Sequence, residues 1–249
     1  MKRSIFVSIK NARVFSSRND FIRDFFAQHK NVRVLDVGNL GEGENLVPVE
    51  TIAQEAGCQY TGLDINKNLA EKLGKKNQII GDLHDLKDLV ADKSFDVIYG
   101  GEIIEHTWRP GKMIRECNRL LSDDGYLVLD TPNAFDLVSI ARLFFKKQDT
   151  LGFDVAELTY NEAKDDFNEY RNVKKQIYSQ PQHKIFFGPA MLRQLLNMHG
   201  FSVEYFAYIK KPRNIAFRLL LYFFPQGSQK ICVVAKKDNL EEIYGVVKS

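Results

Sequence analysis

Apolar and polar positions alternate along this chain in two different rhythms. Ser17 to Lys30 puts Phe21, Ile22, Phe25 and Phe26 on one face, which predicts a helix capped by a serine or asparagine. The run from Asn31 through Val34-Leu35-Asp36-Val37 to Gly38 then predicts a buried strand that opens into a glycine loop. A second helix is expected from about Leu46 to Ala56, with Pro48 near its start, where proline is tolerated. Gln59 to Ile65 predicts the second strand, Glu71 falls in a further helix, and Gln78 to Ile80 predicts a short third strand. Phe95 to Tyr99 is the fourth. Between Lys112 and Leu121 the apolar residues Met113, Ile114, Cys117, Leu120 and Leu121 recur at helical spacing, so this helix packs one face on a sheet. Ser122 to Gly125 reads as a turn into a fifth strand, Tyr126 to Asp130. Strands alternating with helices imply a parallel sheet covered on both faces.

The rhythm breaks after Pro132. From Asn133 to His183 there is no clean strand signal, and residues 133–185 are read as an insertion, a lid over the carboxyl edge of the sheet, within a single domain spanning residues 1–249. Regularity returns with a helix from Pro189 to Met198, which has proline at its start and Gly200 just past its end. Phe201 to Ile209 and Lys230 to Ala235 follow as two strands of a hairpin with an enlarged connection.

Composition narrows the class without naming a partner. Hydrophobic residues make up 44% and charged residues 27% of the 249, as in ordinary globular proteins, so the chain is long enough to bury a core and is not disordered throughout. The net charge of +3 selects no ligand. Locally, six acids lie between Asp154 and Glu169, and eight Lys/Arg residues lie between Arg171 and Arg213. Solvated faces explain both blocks, and an anionic substrate is the sharper alternative for the basic one. Cys58, Cys117 and Cys232 form no C-x-x-C pair, so a reducing, cytoplasmic setting is expected. The first apolar run stops at Lys10, too short for a signal-peptide core, and Ile215 to Phe224 is too short to span a bilayer. That stretch and Arg142 to Lys146 mix apolar and basic residues; lid packing accounts for them, with peripheral membrane contact as the alternative.

Candidate chemistry gathers where the predicted strands end, which is where open α/β sheets bind ligands. Asp36-Val-Gly38-Asn39-Leu-Gly41-Glu-Gly43 is a glycine loop through which a backbone can approach a ligand. Asp64, followed by Ile65, can accept hydrogen bonds from the two hydroxyls of a ribose. Asp82 can take the amino group of an adenine, and Leu83 can pack on its ring. Gly100-Gly101-Glu102 leaves room for a ligand's reactive end. Each feature alone has an ordinary explanation as a turn or a cap. All four occur in order on successive strands, and that joint occurrence carries the assignment.

These residues resemble the class I S-adenosylmethionine-dependent methyltransferases, within the group that holds ubiquinone-biosynthesis O-methyltransferases and small-RNA 2′-O-methyltransferases. The matching segments are Val34 to Gly38, Thr61 to Asp64, Gly81-Asp82, Phe95 to His106 and Leu120 to Asn133, with His183 to Phe187 and His199 to Phe201 further on. The resemblance implies an α/β Rossmann-like methyltransferase fold: a seven-stranded, mostly parallel sheet in the order 3-2-1-4-5-7-6, its last strand antiparallel, with the insertion after strand 5. It implies S-adenosylmethionine as cofactor, held by Asp36, Gly38, Asn39, Gly41, Asp64, Ile65, Asp82, Leu83, Gly100, Gly101 and Glu102. One departure is plain: the family's loop reads G-x-G-x-G, whereas Gly38 to Gly43 is a residue longer. The spacing is not G-x-G-x-x-G either, which speaks against a nicotinamide enzyme.

Methyl transfer from a sulfonium proceeds largely through alignment, and an oxygen acceptor also needs its proton removed or its anion stabilised. If Glu102 to His106 is helical, Glu102, Glu105 and His106 share a face and could hold Mg²⁺ or Mn²⁺. The resemblance points both ways here. Some of these enzymes bind a divalent ion at this pattern, the RNA enzymes with a later histidine that His183 would match, while many relatives use the positions for local hydrogen bonds. A divalent ion thus stays an open cofactor with no ligand assigned. His106, Glu105 and His183 are the expected catalytic residues, whereas His29, His84 and His199 read as surface or cap residues. The function expected is O-methylation of a small-molecule or lipid-linked acceptor. RNA 2′-O-methylation and a non-catalytic nucleotide- or partner-binding module are the alternatives, and the sequence does not set the oligomeric state.

Overall fold

The computed structural model describes residues 12–41, 47–137, 140, 185–209, 221 and 224–238. Eight strands form one sheet: β1 (Ala12–Phe15), β2 (Arg33–Val37), β3 (Gln59–Asp64), β4 (Gln78–Ile80), β5 (Phe95–Gly101), β6 (Leu121–Pro132), β7 (Phe201–Ile209) and β8 (Lys230–Lys237). Their order is β1-β7-β8-β6-β5-β2-β3-β4. The seven expected strands stand in the expected order, and β8 runs antiparallel to both β6 and β7.

The eighth strand, β1, was not expected. It pairs parallel to β7 from Ala12↔Phe206 to Phe15↔Ile209 and forms the sheet edge. Its four residues carry no apolar run, and Arg13 and Val14 face solvent, so no periodicity announces it. The expected turn at Ser122 to Gly125 is absorbed into β6 as a large bulge: Phe95 pairs with Leu121, whereas Val97 pairs with Tyr126.

Two apolar layers cover the sheet. On one side lie α1 (Arg18–Gln28) and α2 (Val49–Glu55), which bury Phe21, Ile22, Phe25, Phe26, Val49 and Ile52 against Val34, Val97, Val128 and Val234. The Ser17 side chain caps α1 by accepting from the Asp20 N–H at 3.1 Å. On the other side α4 (Pro110–Leu120) and α5 (Pro189–Met198) bury Met113, Ile114, Cys117, Leu192 and Leu196 against Leu35, Ile98, Leu127 and Val233. A short helix, α3 (Lys67–Lys72), joins β3 to β4. Because the central strands are covered on both faces, they read as unbroken apolar runs. The three cysteines are buried free thiols.

Most of the expected insertion, with the Arg142 to Lys146 stretch, the acidic block and His183, lies outside the described residues, as does most of Ile215 to Phe224. Its two ends are described. Asn133 pairs with Phe187 in a parallel bridge, and the Ala134 N–H donates to the Phe187 carbonyl at 3.0 Å, so the chain leaves and returns side by side beyond β6. Among the described residues no helix is long and apolar enough to cross a membrane.

Candidate functional site

A cavity of about 190 Å³ opens at the carboxyl ends of β2, β3 and β4. Val37 and Gly38 end β2, Leu63, Asp64 and Ile65 end β3, and Gly81 to His84 follow β4. The opposite wall is Ile103, His106, Thr107 and Met113. Parallel strands direct these ends to one edge, so residues far apart in sequence meet there.

Gly38 has φ +73°, in the region that favours glycine, and a Cβ there would meet Ile103 Cδ1 at 3.0 Å. Asp64 is half-buried, and its Oδ1 accepts the Asn66 N–H at 2.8 Å. Asp82 Oδ1 accepts both the backbone N–H of His84, at 2.9 Å, and its ring Nδ1–H, at 2.7 Å. Burial alone would raise the Asp82 carboxyl, but these two bonds and the nearby Lys112 outweigh it and hold the group below its ordinary value. Ile65 exposes 71% of its surface beside the cavity, and Leu83 is buried under it. Two spaced carboxylates beside the apolar lining of Val37, Leu63, Leu83, Ile103 and Met113 fit a nucleoside, with polar groups at its ribose and base edges and a flat ring between.

Six of the expected cofactor and catalytic residues therefore line the cavity: Gly38, Asp64, Ile65, Asp82, Leu83 and His106. Others do not. Asp36 is buried and accepts the Tyr60 hydroxyl at 2.8 Å. Asn39 is buried and exchanges a pair of amide hydrogen bonds with Gln78, at 3.0 and 2.9 Å. That pair lies across Gly62, where an added Cβ would fall 2.3 Å from both side chains. Gly41 sits in a short 3₁₀ turn with open space around it. Gly100 and Gly101 are small because Leu129, Ile103 and Tyr99 pack where a side chain would go, not because they border the cavity.

The helical face expected for Glu102, Glu105 and His106 does not form. Glu102 has φ +50°, and only Ile104–His106 turn, as a 3₁₀ segment. The three side chains diverge as a result. Glu102 pairs with Lys230 at 2.6 Å, Glu105 is buried and accepts the Thr131 hydroxyl at 2.9 Å, and His106 lines the cavity. Among the described residues no three His, Cys, Asp or Glu side chains converge as a metal site. Burial pushes the Glu105 carboxyl up to about 8, against the opposing Thr131 hydrogen bond. Among the described residues, Glu102, Glu105 and His106 do not converge on a divalent ion, and His183 lies outside those residues.

Beside it lies a buried charge cluster. Asp130, fully buried, accepts the Tyr99 hydroxyl and has Arg18 Nε at 3.7 Å and Lys230 Nζ at 4.0 Å. Burial and Asp130 push the Tyr99 phenol well above its ordinary value, so it stays a donor. Burial alone would lower the Lys230 ammonium, but Asp130 and Glu102 outweigh it and raise it.

Sequence reasoning missed His84, Thr107, Ile103 and Met113 in the cavity wall. The signal for His84 is its place two residues after Asp82, the spacing at which an aspartate accepts a backbone N–H; it is a cavity residue and not only a surface or cap residue.

The chain matches the methyltransferase domain family over residues 11–205. It is 35% identical over 108 residues to a ubiquinone biosynthesis O-methyltransferase of Xanthomonas oryzae pv. oryzae, covering 41% of this chain and 43% of the relative. The curated relatives it matches are covered over less than half of their own length. Among solved structures it resembles an S-adenosylmethionine-dependent methyltransferase of Mesorhizobium loti, with TM-score 0.56, 16% identity, and 88% and 96% of the two chains covered. It also resembles the 1,6-didemethyltoxoflavin-N1-methyltransferase of Burkholderia thailandensis, solved with 1,6-didemethyltoxoflavin and S-adenosylhomocysteine, with TM-score 0.53, 14% identity, and 90% and 80% covered. The chain belongs to the class I S-adenosylmethionine-dependent methyltransferase superfamily.

Proposed function

We propose that this protein is a cytoplasmic S-adenosylmethionine-dependent methyltransferase that acts on an oxygen of a small-molecule or lipid-linked acceptor. The observation that carries the cofactor assignment is the cavity in which Asp64 and Asp82, at the ends of adjacent strands, face the wall of Ile103, His106 and Thr107. Asp64 takes the ribose hydroxyls, Asp82 the adenine amino group, and Gly38 lets the chain pass close to the methionine end. The relationship to the ubiquinone O-methyltransferase supports oxygen as the acceptor atom. His106 is the acceptor's base or contact, since it lines the cavity wall, whereas both ring nitrogens of His84, the other imidazole there, are engaged by Asp82 and Thr107. Glu105 supports it from the core as a positioning residue: its buried carboxyl accepts the Thr131 hydroxyl at 2.9 Å, which ties the 3₁₀ segment to β6. His183, outside the described residues, keeps its catalytic assignment on the resemblance alone.

Incubation with methyl-labelled S-adenosylmethionine and fractionated cell extract tests this reading. Label in small molecules or lipid supports it, and label in RNA moves the acceptor to that class. Cofactor binding with label in no fraction turns the chain into a binding module. Calorimetric binding of NAD without binding of S-adenosylhomocysteine overturns the cofactor itself.

A further inference from the structure

His84 is the side chain that joins the two walls of the cavity. Its Nδ1 lies 2.7 Å from Asp82 Oδ1 on the β4 side, and its Nε2 lies 2.6 Å from Thr107 Oγ1 on the other. An ionised carboxylate only accepts, so Nδ1 carries a proton toward Asp82; in that tautomer Nε2 can accept the Thr107 hydroxyl. Thr107 is itself fixed, because its Oγ1 accepts the Arg109 N–H at 3.1 Å and its own N–H donates to the Ile104 carbonyl at 3.4 Å. Thr107 is buried and His84 half-buried, which gives the bridge a defined geometry that solvent does not dissolve.

Both bonds from His84 fall on the same oxygen of Asp82, Oδ1. The Asp82 side chain is otherwise 56% exposed at the cavity wall. Without the ring, the exposed carboxylate would keep only the backbone N–H of residue 84, and ordering its looser orientation would weaken ligand binding. With the ring, one oxygen is held and the second is left in a set direction.

We propose that His84 is a positioning residue that anchors Asp82 to Thr107, so that the free oxygen of Asp82 selects an adenine bearing an unsubstituted amino group. This inference rests on the cofactor reading above. It assigns His84 to specificity at the base and gives it no part in methyl transfer.

The test measures dissociation constants by calorimetry for S-adenosylhomocysteine and for its N6,N6-dimethyl analogue, which has no amine hydrogen to give. Wild type, His84→Ala, His84→Asn, His84→Gln and Thr107→Val are compared, with the thermal midpoint of each unliganded protein as a control. Wild type should prefer S-adenosylhomocysteine, and His84→Ala should lose about tenfold of that preference, the scale of one charge-assisted hydrogen bond. His84→Asn, which keeps a donor near the Nδ1 position, should recover most of the preference; His84→Gln and Thr107→Val should recover less. An unchanged preference in His84→Ala overturns the inference. So does an equal loss for both ligands, which marks a general collapse of the pocket, and so does a wild type that does not discriminate. If wild type binds neither ligand, the cofactor reading falls, and this inference with it; binding with an undisturbed His84→Ala removes only the role of His84.

Discussion

At the ends of β3 and β4, Asp64 and Asp82 stand at the cavity and are steadied by backbone N–H groups two residues further on. Just beyond β5 and near the end of β6, Glu105 and Asp130 are buried, and they meet Thr131, Tyr99, Arg18 and Lys230 instead. The residue types and the edge of the sheet are the same. What differs is where the local backbone aims the side chain. An acid whose turn supplies N–H groups keeps its charge at the surface and has oxygen capacity left for a ligand. An acid buried among other side chains spends that capacity on the fold. On the proposed reading the first pair is a binding surface, the second is a structural brace, and each assignment can be broken by substitution.

The largest effect is expected at the brace. Asp130→Ala removes the acceptor of the Tyr99 hydroxyl and leaves Arg18 and Lys230 without their buried counter-charge. Loss of one partner from such a buried group costs about 3–5 kcal/mol, and Asp130→Asn, which still accepts from Tyr99, should cost less. Urea unfolding measures both. A loss under about 1 kcal/mol for the alanine variant would show that Asp130 is no brace.

At the surface pair the effect should appear in binding. Asp64→Ala is expected to weaken S-adenosylhomocysteine about a hundredfold, as two hydrogen bonds to a carboxylate are lost. The unfolding midpoint should hardly move, because α3 keeps its cap: Asn66 Oδ1 accepts the Leu69 N–H at 3.0 Å. Calorimetry and thermal melts separate the two readouts. Unchanged affinity would return Asp64 to the role of a turn residue.

Glu105 gives the comparison a pH signature. Its folded-state value is raised to about 8, mainly by burial, from an ordinary 4.5. Between those values the folded protein holds a proton that the unfolded chain has released, so stability falls as pH rises through this window. The slope from this group reaches at most about 1.4 kcal/mol per pH unit. Glu105→Gln stays neutral and should flatten the decline, gaining on wild type as pH rises from about 5 to about 8. Parallel pH profiles in the two proteins would mean that Glu105 is ionised in the fold.

Much of this architecture is legible from the chain. The buried runs at Val34 to Val37 and Phe95 to Tyr99 and the helical spacing from Met113 to Leu120 each report which sides are covered, and covered strands leave a plain apolar signature. The edge strand at Ala12 to Phe15 leaves none, because only its pairing with β7 makes it a strand. At the site, Asp64 and Asp82 were readable because strand ends of a parallel sheet converge. Asp36 and Glu105 have the same kind of position in sequence, and only three-dimensional partners such as Tyr60 and Thr131 reveal that they point inward. The α-helix considered for Glu102 to His106 failed because the backbone enters a left-handed conformation at Glu102, which no count of residue spacing detects.

The smallest effect tests the boundary between the two kinds of acid-bearing edge, at Asn39. Its position in the glycine loop suggested cofactor contact, yet its amide is spent on Gln78 across Gly62. Asn39→Ala leaves the half-buried Gln78 amide without this partner and should cost about 1–2 kcal/mol of stability. Affinity for S-adenosylhomocysteine should stay within about threefold of wild type, since the groups that meet the ligand are elsewhere. Because Asn39 and Asp64 lie on neighbouring strand ends, the pair of variants forms a clean contrast: one should lower the melting temperature and keep binding, the other the reverse. If Asn39→Ala instead abolishes binding at unchanged stability, the amide pair is a ligand-displaced contact, and the binding surface extends further along the glycine loop than Gly38.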